Sequence, residues 1–158
     1  MSEAIPISLK VNGRTHRLFV RPWHTLLQVL REQILLTGSK RGCNQGVCGA
    51  CSVTIDGAVV RGCLTLAVNA TDREIVTVEG LAAGNELSPV QQALLDRGAV
   101  QCGFCMPGMA VAATALLAEN PSPTDEEIRD GLSGNLCRCS GYVKVIEAVR
   151  SASAGGAS

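Results

Sequence analysis

Ile7, Leu9 and Val11 alternate with Ser8 and Lys10, and past Asn12-Gly13 the alternation resumes at His16, Leu18 and Val20. A period of two on both sides of a tight-turn dipeptide predicts a β-hairpin. Leu26, Leu27, Val29 and Leu30 then share a helical face, with Thr25 placed to cap it, Pro22 before it and Gly38 after it. Ser52–Ile55 reads as a strand, Asp56-Gly57 as its turn and Ala58–Arg61 as the returning strand, with Cys63 at its end and Ile75–Val78 as a last strand. Residues 1–80 therefore predict a mixed sheet with one helix. Leu81–Leu87, with Gly84 and Asn85 and no period, reads as a linker.

Beyond the linker the period changes from two to 3.6. Ser88-Pro89 opens a helix carrying Val90, Ala93 and Leu94 as far as Gly98, and Pro107 opens an alanine-rich one that stops at Asn120-Pro121. Thr124 with Glu127 forms a capping box for a third helix ending near Gly131, and Tyr142–Val149 forms a fourth, with Val145, Ile146 and Val149 apolar. Four short helices predict a small bundle over 81–158, with 151–158 as a frayed tail. The fold class is α+β, in two domains split at residue 80.

Composition narrows the partners. Apolar residues make up 46% of 158, enough for real cores, and 14 basic residues against 14 acidic ones leave no net field for nucleic acid or a membrane surface. The first twenty residues contain Pro6 and Lys10 and no apolar signal region, and Pro107–Glu119 is too short to span a bilayer. A cytoplasmic location is the expectation. Eight cysteines are too sparse for a secreted disulfide scaffold and point to metal ligation instead.

Those cysteines fall in two sets. Cys43, Cys48 and Cys51 give C-x4-C-x2-C in a glycine-rich loop, with Cys63 as a distant fourth, which is the loop spacing of plant-type 2Fe-2S ferredoxins. Zinc knuckles favour two C-x2-C pairs, so this loop serves zinc badly. The backbone N–H groups of Gly42, Asn44, Gly46, Gly49 and Ala50 are candidate donors to the cluster sulfurs. In the second set, Cys102 and Cys105 form C-x2-C, and 31 residues separate them from the C-x-C of Cys137 and Cys139. Spacing leaves this set open to either zinc or an iron-sulfur cluster.

Taken together, Cys-Asn-Gln-Gly-Val-Cys-Gly-Ala-Cys-Ser-Val, Gln-Cys-Gly-Phe-Cys-Met-Pro-Gly-Met and Gly-Asn-Leu-Cys-Arg-Cys-Ser-Gly-Tyr resemble the iron-sulfur subunit of the molybdenum hydroxylases, from about Ile7 to Val149 and through all eight cysteines. That family includes xanthine dehydrogenases, aldehyde oxidoreductases, aerobic carbon monoxide dehydrogenases, quinoline and nicotinate hydroxylases and 4-hydroxybenzoyl-CoA reductase. The resemblance implies a β-grasp ferredoxin domain with one 2Fe-2S cluster on Cys43, Cys48, Cys51 and Cys63, and a four-helix domain with another on Cys102, Cys105, Cys137 and Cys139. It also implies a large subunit carrying molybdopterin, expected in its cytosine dinucleotide form, and a medium subunit carrying FAD, with the heterotrimer doubled. Gln101 and Cys139 match the family's pterin contacts. Met106 stands where threonine is frequent, and Ser140 where many relatives have threonine, which keeps a hydroxyl.

The implied function is electron transfer: single electrons pass between the molybdenum centre and FAD, and no catalytic residue for substrate is expected on this chain. The competing class is a free-standing two-cluster ferredoxin or redox sensor. Lys40, Arg41 and Arg138 are either charge partners of the clusters or solvated side chains, and His16 and His24 read as surface residues. Trp23 reads as a packing residue. Seven basic residues from Lys10 to Arg41 face only Glu32, which suits a solvated face or an acidic partner subunit.

Overall fold

A computed structural model describes residues 3–153. Strands β1 (Ile5–Val11) and β2 (Arg14–Val20) pair antiparallel, with Ile5 opposite Val20 and Val11 opposite Arg14. Asn12 and Gly13 both take positive φ, 51° and 73°, the geometry a two-residue hairpin turn needs. The Asn12 side chain then accepts from the Thr77 N–H at 2.9 Å and donates to the Thr77 hydroxyl at 3.0 Å, tying the hairpin to a distant part of the chain. β3 (Ser52–Ile55) and β4 (Ala58–Arg61) form the second hairpin, and β5 (Glu74–Val76) lies between the two, parallel to β1 and antiparallel to β3. The sheet order is β2-β1-β5-β3-β4.

The expected last strand Ile75–Val78 is shorter than the pattern suggested. The Thr77 N–H goes to Asn12 instead of a neighbouring strand, so the ladder ends and Val78–Gly80 winds into a 3-10 turn. Helix α1 (Leu26–Glu32) is capped reciprocally by Thr25 and Gln28, at 3.2 and 3.0 Å. Its Leu26, Val29 and Leu30 are buried with Ile7, Leu9, Val11, Val53 and Ile75, each contributing ~1.5–3 kcal/mol of transfer free energy. Leu27 faces another way, against Cys51 and Cys63. One helix thus closes the sheet's core and backs one pair of cysteines.

Helices α2 (Pro89–Asp96), α3 (Met106–Glu119), α4 (Asp125–Leu132) and α5 (Val143–Ala152) follow. Val90, Leu94, Met109, Ile128, Leu132, Val145 and Val149 form their common core. The first half of α3, from Gly108 to Ala113, is buried without a break. It has no polar face because it packs on α2 and α4 as well as on β3 and β4, and small side chains let it approach them all.

Three further expectations are corrected. The last helix starts at Val143, since Tyr142 sits in the left-handed region at φ 66°. The tail is not frayed where it is described: Ser151 and Ala152 are helical, and the Ser153 hydroxyl donates to the Arg150 carbonyl at 2.7 Å, while residues 154–158 lie outside the described part. Trp23 is 55% exposed, with the Arg21 guanidinium 5.5 Å over its ring, so the pair covers surface and fills no core. Among the described residues, no helix is long and apolar enough to cross a membrane.

Candidate metal centres

The loop from Ser39 to Ala50 holds no regular structure, and three of its residues, Asn44, Gly46 and Gly49, have φ of 55°, 81° and 72°. These left-handed turns curl the chain around Cys43 and Cys48, and the Gln45 and Cys48 N–H groups point at Cys43 Sγ from 3.5 and 3.4 Å. The Cys48 N–H above all, then that of Gln45, brings the Cys43 thiol down to about 6. Cys51 lies at the entrance to β3 and Cys63 beyond β4, both buried behind Leu27, and burial pushes the Cys51 thiol up to about 11. Gly42 leaves room for the sulfurs, since a methyl there would come within 2.8 Å of Cys48 Sγ. None of the five expected donors, Gly42, Asn44, Gly46, Gly49 and Ala50, gives its N–H to a protein acceptor among the described residues.

The second set is built at helix ends. Cys102 and Cys105 precede α3, with Gly103 at φ 80° between them, and Cys137 and Cys139 precede α5. Cys102 and Cys139 are exposed, their sulfurs 3.6 Å apart. Cys105 is buried against Cys137, and burial lifts its thiol to about 12. Burial also raises Cys137, but the Ser140 hydroxyl and N–H outweigh it and bring that thiol to about 7. Gln101 donates its side-chain amide to the Cys139 carbonyl at 3.2 Å, so the two residues matched to the pterin contacts meet on one exposed edge.

The thiols therefore meet in pairs, Cys43 with Cys48, Cys51 with Cys63, Cys102 with Cys139 and Cys105 with Cys137. Among the described residues no group of three metal-ligating side chains is gathered for one ion. Two pairs at each site suit a binuclear cluster with two thiolates per iron better than a mononuclear tetrahedral zinc. All-sulfur donors, free N–H groups and glycine clearances fit such a group, and loading it would release the protons that burial holds on Cys51 and Cys105.

Several linking residues had no role assigned from the sequence. Asn135, 3% exposed, donates to the Gly49 carbonyl at 3.1 Å and to the Ser52 hydroxyl at 3.2 Å. Arg61 donates to Ser52 Oγ at 2.8 Å and to the Gly134 carbonyl at 2.7 Å, and the Leu136 N–H reaches the Cys48 carbonyl at 2.9 Å. The Tyr142 phenol oxygen accepts from the Cys137 N–H at 2.9 Å. Asn135 and Tyr142 both lie inside the Gly-Asn-Leu-Cys-Arg-Cys-Ser-Gly-Tyr motif, which was the available signal. Lys40 is spent on the Thr37 carbonyl at 2.8 Å, while Arg41 and Arg138 are exposed. Met106 is half-buried against the helical core. A cavity of about 550 Å³ lies between α4 and α5, floored by Leu132, Tyr142, Val145 and Ile146.

Two family models match the chain, a 2Fe-2S iron-sulfur cluster binding domain over residues 9–82 and a [2Fe-2S] binding domain over residues 77–150. The nicotine 6-hydroxylase small subunit of Paenarthrobacter nicotinovorans is 51% identical over 148 residues, covering 94% of this chain and 89% of that one. The xanthine dehydrogenase iron-sulfur-binding subunit of Escherichia coli O157:H7 is 50% identical over 151 residues, covering 94% of each. The chain belongs to the iron-sulfur subunits of the molybdenum hydroxylase family. As an iron-sulfur subunit of that family it also matches the crystal structure of quinoline 2-oxidoreductase from Pseudomonas putida 86, with a TM-score of 0.92, 48% identity and coverage of 94% of this chain and 92% of that one. These relatives are oxidoreductases, and an iron-sulfur subunit serves them by electron transfer.

Proposed function

We propose that this chain relays single electrons through two 2Fe-2S clusters, between the molybdopterin of a large subunit and the FAD of a medium subunit. Residues 1–80 are the β-grasp ferredoxin domain, with Cys43, Cys48, Cys51 and Cys63 as ligands. Residues 81–158 are the four-helix domain, with Cys102, Cys105, Cys137 and Cys139. The assembly is a cytoplasmic dimer of heterotrimers, its pterin in the cytosine dinucleotide form, touched by Gln101 and Cys139.

One observation carries this reading. The Cys48 carbonyl accepts from the Leu136 N–H at 2.9 Å, so a single hydrogen bond joins a ligand of the first site to the residue beside Cys137 of the second. The two sites are wired together within one chain, which independent zinc modules do not need. Apolar side chains exposed beside the loops support flanking subunits over a free-standing carrier: Val47 at 56%, Leu64 at 62% and Leu136 at 48%.

The test is iron and acid-labile sulfide per chain on anaerobically prepared complex, alongside the Cys102→Ser variant. About four of each are expected for two clusters. Cys102→Ser is expected to stop substrate-dependent flavin reduction while sparing the first cluster's spectrum. About two of each, zinc without sulfide, or equal loss of both spectra in the variant would reject the two-site relay.

A further inference from the structure

We infer that Ser140 is a positioning residue whose hydroxyl, donated to Cys137 Sγ, sets the reduction potential of the second cluster. This rests on reading Cys102, Cys105, Cys137 and Cys139 as that cluster's ligands. The Ser140 hydroxyl lies 3.2 Å from Cys137 Sγ and the Ser140 N–H 3.4 Å from it, so one residue sends two donors to one ligand sulfur. The direction of the hydroxyl proton is fixed by its other neighbour. The Tyr142 N–H donates to Ser140 Oγ at 3.2 Å, which occupies a lone pair there and leaves the single O–H hydrogen for the sulfur.

The hydroxyl is not the loop's sole anchor. Tyr142, held at φ 66°, accepts the Cys137 N–H on its phenol oxygen at 2.9 Å and packs against the helical core. Removing the Ser140 hydroxyl therefore takes away the donor to Cys137 Sγ and the acceptor of the Tyr142 N–H, while the Cys137 N–H keeps its own anchor on the Tyr142 phenol. The first site offers no equivalent. Cys43 Sγ receives backbone N–H groups, those of Gln45 and Cys48 at 3.5 and 3.4 Å, and Ser140 is the only side-chain oxygen donating to a cysteine sulfur among the described residues.

Reduction adds one electron to the cluster, with no bond made or broken, and raises the negative charge on its sulfurs. A donor to a ligand sulfur stabilises the reduced form more than the oxidised one and raises the potential. Cys137 and Ser140 are both half-buried, where the interaction is screened less than in water. The second cluster is thus held above the potential its thiolates alone would give it, by a donor that evolution or mutagenesis can remove without disturbing a ligand.

The experiment is a redox titration of the native complex, each cluster followed by its own paramagnetic resonance signal, for wild type, Ser140→Ala, Ser140→Val and Ser140→Thr. At the wild-type midpoint of the second cluster, Ser140→Ala and Ser140→Val are expected to show a reduced-to-oxidised ratio about tenfold lower, a shift of ~59 mV to more negative potential for one electron. Ser140→Thr is expected to restore the ratio, and the first cluster's midpoint is expected to stay put in all four. An unchanged second midpoint in the donor-free variants, an equal shift of both clusters, or a threonine variant that behaves like alanine would overturn the inference. So would loss of the second signal in both Ser140→Ala and Ser140→Val, because the hydroxyl would then hold the loop and not the potential. A wild-type complex with no second signal would instead remove the cluster assignment beneath it.

Discussion

Gly49 decides how closely the two cysteine loops approach. It is buried, its φ is 72°, and a methyl added there would run into the Gly134 carbonyl and come within 2.7 Å of Asn135 Nδ2. Gly57 has a similar φ of 86°, but a methyl there meets nothing within 4 Å. The two glycines therefore separate backbone strain from collision. Gly57→Ala is expected to cost about 1–2 kcal/mol, the price of a left-handed L-residue. Gly49→Ala is expected to cost clearly more, because the obstructing atom is backbone, and to loosen the contact between Cys48 and Leu136. Urea unfolding of both variants checks this, and equal losses would show that the loops yield without resistance.

Among the elements, the helix starts carry the most readable chemistry. Thr124 and Glu127 cap α4 reciprocally: the Glu127 N–H donates to the Thr124 hydroxyl at 3.3 Å, and the Thr124 N–H donates to the Glu127 carboxylate at 2.7 Å. The Thr124 N–H, and then its hydroxyl, hold the Glu127 carboxyl below the usual carboxylate range. A pKa depressed by folding contributes stability that is present above the unfolded value and lost as pH falls through the folded one. The loss therefore belongs to the acid side of the carboxylate range. Asp56, beside the Arg73 guanidinium, and Glu147, beside Lys144, lean the same way. Thr124→Ala is expected to cost about 1 kcal/mol near neutral pH and to flatten part of the acid loss, read as thermal midpoints from pH 7 to pH 3. An unchanged acid slope would contradict the cap's share in it. The Thr124 cap, the Asn12-Gly13 turn and the Ser88-Pro89 start were legible because each is written in residues a few positions apart. The end of β5 was not, since it depends on Asn12, 65 residues away from Thr77 in the chain. The left-handed Tyr142 escaped as well, because its conformation serves a hydrogen bond to Cys137 and follows no local preference.

Across the whole molecule, the cysteine motifs announced two sites, and no local pattern could say how the sites are joined. Asn135, Arg61 and Leu136 supply that join: Asn135 reaches Gly49 and Ser52 across 86 and 83 residues, Arg61 reaches Gly134 across 73, and Leu136 reaches Cys48. Beside them α3 lies on β3, with Gly108 backing directly onto Gly49. Two kinds of contact thus couple the halves, a polar clasp and a packed helix, and they differ in what they resist. Apolar packing tolerates sliding, while the clasp fixes register between Cys48 and Cys137. Asn135→Ala empties a buried donor position facing two oxygens and is expected to cost about 1–3 kcal/mol. Arg61→Met, which also removes donors from Ser52 Oγ, shares that partner, so the double variant is expected to lose a total that is not the sum of the single losses. If the clasp couples the halves, the double variant unfolds in two calorimetric steps where the wild type unfolds in one. A single transition with a merely lower midpoint would assign the coupling to α3 against β3, leaving the polar residues to set the distance between the sites.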